Sequence, residues 1–368
     1  DNETAAGFTK SQTTRTVTEA SGGGNTATFT LVLDSKPATD VVLNVVSADT
    51  GEVTVGTANY TFTNGNWNTP QTVTLTGVND TIVDTDTETT VTISVTDASS
   101  NDEFDALADQ TVTVTTTDNE TAGYTKSQTA RTVTEASGGA NTATFTLVLD
   151  AQPATDVVLN VVSADTTEVT VGTANYTFTT SNWDTPQTVT LTGIDDDVID
   201  VDNQTTVTIS VTDASSNDEF DALADQTVTV TTTDNETAGY TKSQTTRTVT
   251  EAAGGGNTAT FTLVLDAEPD SNVVLNVVSA DTTEVTVGTA DYTFTAANWD
   301  TPQTVTLTGV NDTVVDTDTQ TTVTISVTDA SSDNNFDSLA DQTVTVTTTD
   351  NETAGYTKSQ TTRTVTEA

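Results

Sequence analysis

The sequence contains no cysteine, no methionine and no histidine. Their absence excludes disulfides, thiol redox chemistry, zinc sites built on Cys and His, His-ligated haem and every Ser–His or Cys–His catalytic arrangement. Cations are almost as scarce, with nine Lys and Arg against 54 Asp and Glu and a formal net charge of −45. So acidic a chain has no basic face to offer nucleic acid or an anionic membrane surface, and neither is expected as a partner. No apolar run approaches the ~18 residues of a membrane-spanning helix, so membrane insertion is not expected of this segment either. Aromatic residues are only 5% of the chain, so any core must be built mainly from aliphatic side chains.

Thr is the commonest residue and Val is also abundant. Both favour the half-buried pleated surface of a sheet. Among the anions, Asp outnumbers Glu more than twofold. Asp is a poor helix and strand residue, but it suits loops and serves as a short-armed ligand for hard cations. The composition therefore reads as strands separated by acidic loops.

Internal repetition organises the chain. The segment Asn-Trp-x-Thr-Pro-Gln-Thr-Val-Thr-Leu-Thr-Gly carries Trp67, Trp183 and Trp299, at a constant spacing of 116 residues. Asp-Asn-Glu-Thr begins at Asp1, Asp118, Asp234 and Asp350, and Thr-Val-Thr-Glu-Ala ends at Ala20, Ala136, Ala252 and Ala368. The expected organisation is the end of one repeat (1–4), three full repeats (5–120, 121–236 and 237–352) and the first strand of a further one (353–368). This period is too long for a solenoid repeat of 20–45 residues, and each unit is large enough to own a core.

Within a unit the apolar period is two, which predicts strands. In the first unit they are expected at 13–18, 27–33, 41–47, a broken stretch over 52–63, then 71–76, 89–96 and 111–117. Phe29, Leu31 and Leu33 share one face, as do Val73 with Leu75, Val91 with Ile93 and Val95, and Val112 with Val114; the alternating Thr residues face water. Seven short strands with turn signals between them predict an all-β fold, a tandem array of immunoglobulin-like β-sandwiches.

If consecutive strands run antiparallel, the loops after the first, third and fifth strands and the exit of the seventh share one pole. That pole gathers Glu19, Asp49, Glu52, Asp80, Asp84, Asp86, Asp118 and Glu120, with no basic residue in its loops. Carboxylates converging in this way are costly unless a cation lies among them, and Ca²⁺ accepts oxygens from several loops. The alternative is that acidic loops simply keep the chain soluble. Eight of the nine basic residues, among them Lys10, Arg15, Lys126 and Arg131, precede or enter the first strand of a unit, a place from which they could bridge to the acidic exit of the unit before. Lys36 stands apart from them. Trp67 and its equivalents are expected to cap one end of the sandwich rather than to form a sugar platform.

Taken together, Thr-Val-Thr-Glu-Ala, Asn-Tyr-Thr-Phe-Thr, Val-Asn-Asp-x-x-x-Asp-x-Asp and the terminal Asp-Asn-Glu resemble the Calx-beta repeats of long bacterial surface and secreted, adhesin-type proteins. The resemblance spans essentially the whole unit and implies Ca²⁺ as cofactor at one pole. The ligands it implies are Glu19, Asp80, Asp84, Asp86 and Asp118 in the first unit. In the second they are Glu135, Asp196, Asp200, Asp202 and Asp234, and in the third Glu251, Asp312, Asp316, Asp318 and Asp350. Asn59 and Asn175 replace a family acid that only Asp291 keeps, and Thr87, Asn203 and Thr319 replace another. The charge per site is thereby reduced, and one ion per unit is expected.

The function expected from these features is structural: a Ca²⁺-stabilised stalk or fibre segment of a long extracellular, cell-surface protein involved in adhesion or filament formation. Its partners would be Ca²⁺, neighbouring repeats and identical chains in a fibre. The alternative is a binding module that engages glycans, partner cells or chains through loops or inter-repeat grooves. Paired carboxylates also serve glycosidases, but here they recur in every unit in solvated loops, so no enzyme is expected.

Overall fold

The computed structural model describes residues 5–22, 24–136, 141–252 and 256–367. The expected end of a preceding repeat at 1–4 lies outside the described residues. The first unit contains β1 (Phe8–Lys10), β2 (Thr14–Thr18), β3 (Thr26–Leu33), β4 (Val41–Ser47), β5 (Val53–Val55), β6 (Asn59–Phe62), β7 (Gln71–Gly77), β8 (Ile82–Val83), β9 (Thr87–Val95) and β10 (Gln110–Thr117). One sheet has the order β1-β3-β7-β5 and the other β2-β10-β9-β4-β6, and the second and third repeats form the same pair of sheets. The fold is an array of immunoglobulin-like β-sandwiches.

Strict alternation builds these sheets. In β10 the residues Val112, Val114 and Thr116 are buried while the residues between them are not. Phe29, Leu31, Val73, Leu75, Val91, Ile93, Val112 and Val114 meet in one core, as their shared parity requires. One expected strand is divided and another gains a separate leading piece. The 52–63 stretch becomes β5 in one sheet and β6 in the other, and the first strand is preceded by β1, which crosses to the opposite sheet. Both pieces of each run in the same direction: β5 and β6 are antiparallel to β7 and β4, and β1 is antiparallel to β3 while β2 is parallel to β10. The alternation of loops between poles therefore survives the extra strands.

Tyr124 shows how the leading strand is pinned. Its hydroxyl donates to the Ile209 carbonyl at 2.9 Å and accepts from the Gln226 N–H at 3.2 Å, and Tyr240 repeats the arrangement. The first unit has Phe8 here and lacks these bonds. Phe8→Tyr is expected to stabilise that unit by about 1 kcal/mol in chemical denaturation, and an unchanged midpoint would refute the assignment.

The units meet through a device that periodicity did not reveal. β8 leaves the first unit and pairs in parallel with Gln152–Pro153 of the second; Val198–Ile199 pairs likewise with Glu268–Pro269 of the third. Val83 belongs to the second unit's core and Ile199 to the third's. Val83→Ala is expected to cost about 2 kcal/mol. The loss should appear as weaker amide-exchange protection in the second unit, although the substitution lies in the first.

Among the described residues the hydrogen bonds of Arg15, Lys126, Arg131 and Lys242 stay within their own units rather than bridging the junctions. The Arg15 and Arg131 guanidinium groups donate to the carbonyls of Thr28 and Thr144 in their own units. Lys126 Nζ donates to Gln226 Oε1 at 3.0 Å and Lys242 Nζ to Gln342 Oε1 at 2.7 Å, again within one unit. β1 and its equivalents pair with β3 and its equivalents in their own sandwiches. Trp67, Trp183 and Trp299 are partly buried against their cores, and the Trp67 carbonyl accepts the Leu33 N–H at 3.1 Å.

Candidate metal centre

Strand alternation that aims Val17 into the sandwich also aims Glu19, two residues on, into its end. Val17 is 2% exposed and Glu19 3%. Glu135 and Glu251 are likewise 2% and 3% exposed. The same parity carries β10 from buried Thr116 to Asp118. Gly77 makes room beside Glu19: a Cβ there would overlap the Thr18 carbonyl, and Gly193 and Gly309 stand in the same relation to Thr134 and Thr250. From the facing sheet edge, Glu52 enters just ahead of β5, and its carbonyl accepts the Val78 N–H at 2.9 Å.

The remaining acids come from the loop around β8 and from the exit of β10. Asp118 organises both: its carboxylate accepts the Asp84 N–H at 3.0 Å and the Glu120 N–H at 2.8 Å. Carboxylate oxygens of Glu19, Asp118 and Glu120 lie within 4.8 Å of one another. In the second unit two such groups share Glu135, one with Asp200 and Asp234 and the other with Asp196 and Glu236. In the third, Glu251 is shared between Glu284 with Asp316 and Asp350 with Glu352.

Among the described residues no Lys or Arg hydrogen-bonds the buried oxygens of these acids. Glu19 Oε2, Glu52 Oε2, Asp84 Oδ1 and Glu120 Oε2 are buried without a hydrogen-bond partner. The corresponding atoms of Glu135, Glu168, Asp200 and Glu236 recur in the second unit, and those of Glu251, Glu284 and Glu352 in the third. Burial, reinforced by Asp80, Asp84, Asp118 and Glu52, pushes the Glu19 carboxyl up to about 7. The same causes, burial first, raise Glu135 to about 8 and Glu251 to about 7. Burial also raises Glu52, Asp84 and Glu120.

This donor set fits a hard divalent cation. It is all oxygen, it is drawn from several backbone segments, and its unpartnered lone pairs converge. A solvating coat requires none of these; its carboxylates would stand in water and keep ordinary acidity.

Of the sequence-predicted residues, Glu19 and Asp118 come together, with Asp80 and Asp84 close enough to raise Glu19. Glu135, Asp196, Asp200 and Asp234 do so in the second unit, and Glu251, Asp316 and Asp350 in the third, where Asp312 is among the acids that raise Glu251. The side chains of Asp80, Asp196 and Asp312 also accept the N–H two residues ahead, which shapes the loop. Asp86 and Asp318 are exposed and accept the backbone N–H of Asp118 and Asp350, and Asp202 is exposed as well. Those three brace or flank the centre rather than converge within it. Strand parity gathered Glu52 and Glu120 at this pole, but they, with Glu168, Glu236, Glu284 and Glu352, are absent from the ligand set implied by the resemblance. The signal available for them was position: Glu52 adjoins an inward strand, and Glu120 lies two residues beyond Asp118.

No family model matches the chain, and no curated protein matches it. Similar solved structures include the calcium binding domain CBD12 of CALX1.1, at 13% identity over 61% of this chain and 99% of that one, with a TM-score of 0.28. Domains 4–9 of the surface layer protein SbsC are 17% identical over 94% of this chain and 50% of that one, with a TM-score of 0.24. The human desmocollin-1 ectodomain is 11% identical over 95% of this chain and 62% of that one, with a TM-score of 0.30. No helix of the described residues is long and apolar enough to cross a membrane.

Proposed function

We propose that this chain is a Ca²⁺-stabilised spacer, a stretch of stalk or fibre from a long extracellular bacterial surface protein of the Calx-beta type, without catalytic activity. The observation that carries this reading is the recurrence, in each of three sandwiches, of one buried and unpartnered carboxylate set, placed in the first two beside the loop that reaches the next sandwich. When bound, Ca²⁺ supplies positive charge and six to eight coordination positions for oxygen. Glu19, Asp84, Asp118 and Glu120 would hold it in the first unit, with Glu52 and Asp80 at its margin.

The chain's own residues explain what occupancy accomplishes. Asp84 follows directly after Val83, and its N–H is already held by Asp118. Neutralising these acids removes the repulsion that works to spread β8 from the strand exits, so the segment that docks on the next unit is fixed at its base. Cation binding and inter-unit order are thus linked through two adjacent residues. Weak sites suffice outside the cell, where Ca²⁺ is millimolar and extracellular modules bind in the range of ~10⁻⁴–10⁻³ M.

The test is small-angle scattering of the whole chain. The expected result is a longer maximum dimension with a sharper cutoff in millimolar Ca²⁺ than in EDTA, and a further increment of constant length for each unit added by duplication. Identical profiles in the two buffers would refute the stiffening role.

A further inference from the structure

The second unit has a neighbour on either side, so tension along the chain must cross it from the connector ahead of Tyr124 to the exit at Asp234. The strands nearest those two points are paired directly. Ala130–Thr134 lies parallel to Gln226–Thr233, in the register Ala130↔Thr229 to Thr134↔Thr233. The ladder extends at both ends, where the Thr229 N–H donates to the Thr129 carbonyl at 3.0 Å and the Glu135 N–H to the Thr233 carbonyl at 3.2 Å. β2 with β10 in the first unit, and Thr246–Thr250 with Gln342–Thr349 in the third, repeat the pairing in the same register.

Parallel orientation decides how this ladder is loaded. Tension draws the leading strand toward its own N-terminus and the last strand toward its own C-terminus. In a parallel pair those directions are opposed along one axis, so the strands are sheared and every bond of the ladder bears load at once. An antiparallel pair of terminal strands would have its entry and exit at the same end and would open one bond at a time.

Side chains reinforce the pair. The Thr233 hydroxyl donates to the Val133 carbonyl at 3.3 Å, and the Gln226 side-chain amide donates to the Tyr124 carbonyl at 2.7 Å. Lys126 Nζ donates to Gln226 Oε1 at 3.0 Å, so the last strand also holds Tyr124–Lys126, the short strand ahead of the clamp. The Arg131 guanidinium ties the leading strand to the facing sheet through the Thr144 carbonyl. The junction between units cannot divert the load, because its pairing of Ile82–Val83 with Gln152–Pro153 has two residues and yields before a ladder of five.

We propose that the first and last strands of each unit form a shear clamp, and that bearing tension along the chain is a function of the array. This function rests on the spacer reading, which supplies the direction of load, but the pairing itself needs no cation. A chain whose scattering is indifferent to Ca²⁺ would keep its clamp.

The test is single-molecule force spectroscopy of the whole chain in EDTA. The double variant Ala130→Cys with Thr229→Cys puts thiols at directly opposed, exposed positions in a chain that has no other cysteine. With the thiols capped and handles at the chain ends, each unit is sheared; with handles on the thiols, the ladder of the second unit is peeled from one end. Unfolding of a unit in either geometry lengthens the chain by up to roughly 340 Å, the span of about 100 residues at ~3.4 Å each, which identifies the event. The expected result is an unfolding force severalfold higher end to end than across the thiols. Forced unfolding reads the barrier along the pulling direction rather than equilibrium stability, so one protein pulled two ways is its own control. Equal forces in the two directions, or a lower force end to end, would overturn the clamp.

Discussion

Ca²⁺ at about 10 mM, roughly a hundred times a Kd of ~10⁻⁴ M, is expected to raise the melting temperature of the metal-free chain by on the order of 10 °C, with much less from Mg²⁺. The size follows from mass action. An ion present at about a hundred times its Kd contributes about 2.7 kcal/mol to the unit that binds it, and a domain of this length shifts by about 4 °C per kcal/mol. Mg²⁺ demands near-ideal octahedral geometry and retains its waters, whereas these ligands come from four separate segments with no such symmetry. The decisive variant is Glu135→Gln. It removes a buried carboxylate from the second unit, so the metal-free melting temperature of that unit should rise while its response to Ca²⁺ is lost. A ligand that supports the apo fold by some unrelated contact would not produce this crossover. Calorimetry resolves it, and equal effects of Ca²⁺ and Mg²⁺ that NaCl reproduces would reduce the acids to a solvating coat.

The crossover has its origin in a feature that alternation makes legible. Thr-Val-Thr-Glu at the end of the leading strand places Val17 and Glu19 at the same parity, so a reader who places Val17 inside must place Glu19 inside as well. The sandwich, the core residues Phe29 to Val114 and the pole at which the acids collect follow from the same period of two, and parity held because β1 with β2, and β5 with β6, keep one direction. Two things were not legible. The split of 52–63 between sheets depends on tertiary pairing of Val53–Val55 with β7 and of Asn59–Phe62 with β4, and both pieces carry the same local pattern. The docking of Ile82–Val83 on the next unit is a two-residue pairing, too short to leave any period. Its only trace in sequence is that an apolar pair interrupts an otherwise acidic loop. Glu120 was placed at the acidic pole by strand parity but not among the ligands, since it lies outside any strand and only the turn closed by Asp118 brings it back to Glu19.

The second large effect is a reversal of the usual response to pH. In the metal-free chain Glu19 and Glu251 are pushed up to about 7 and Glu135 to about 8, from an ordinary value of 4.5. Between 4.5 and that range the folded chain retains protons that the unfolded chain has released, so unfolding releases protons and stability falls as pH rises. The melting temperature in EDTA should therefore be higher at pH 5 than at pH 8. With Ca²⁺ the sign changes, because the ion takes the place of those protons: binding requires ionised carboxylates, strengthens with pH through the same window and releases protons into the buffer. The separation between the two melting curves should accordingly widen from pH 5 to pH 8. General repulsion among the surface acids also grows with pH, but added NaCl screens that component and leaves the penalty for burying Glu19 largely intact. The triple variant Glu19→Gln, Glu135→Gln, Glu251→Gln separates the two. It should flatten the decline in EDTA and abolish the Ca²⁺-dependent widening together, since both arise from the same three side chains. A triple variant that keeps the parental slope would place the titration elsewhere and remove the electrostatic basis of the metal centre.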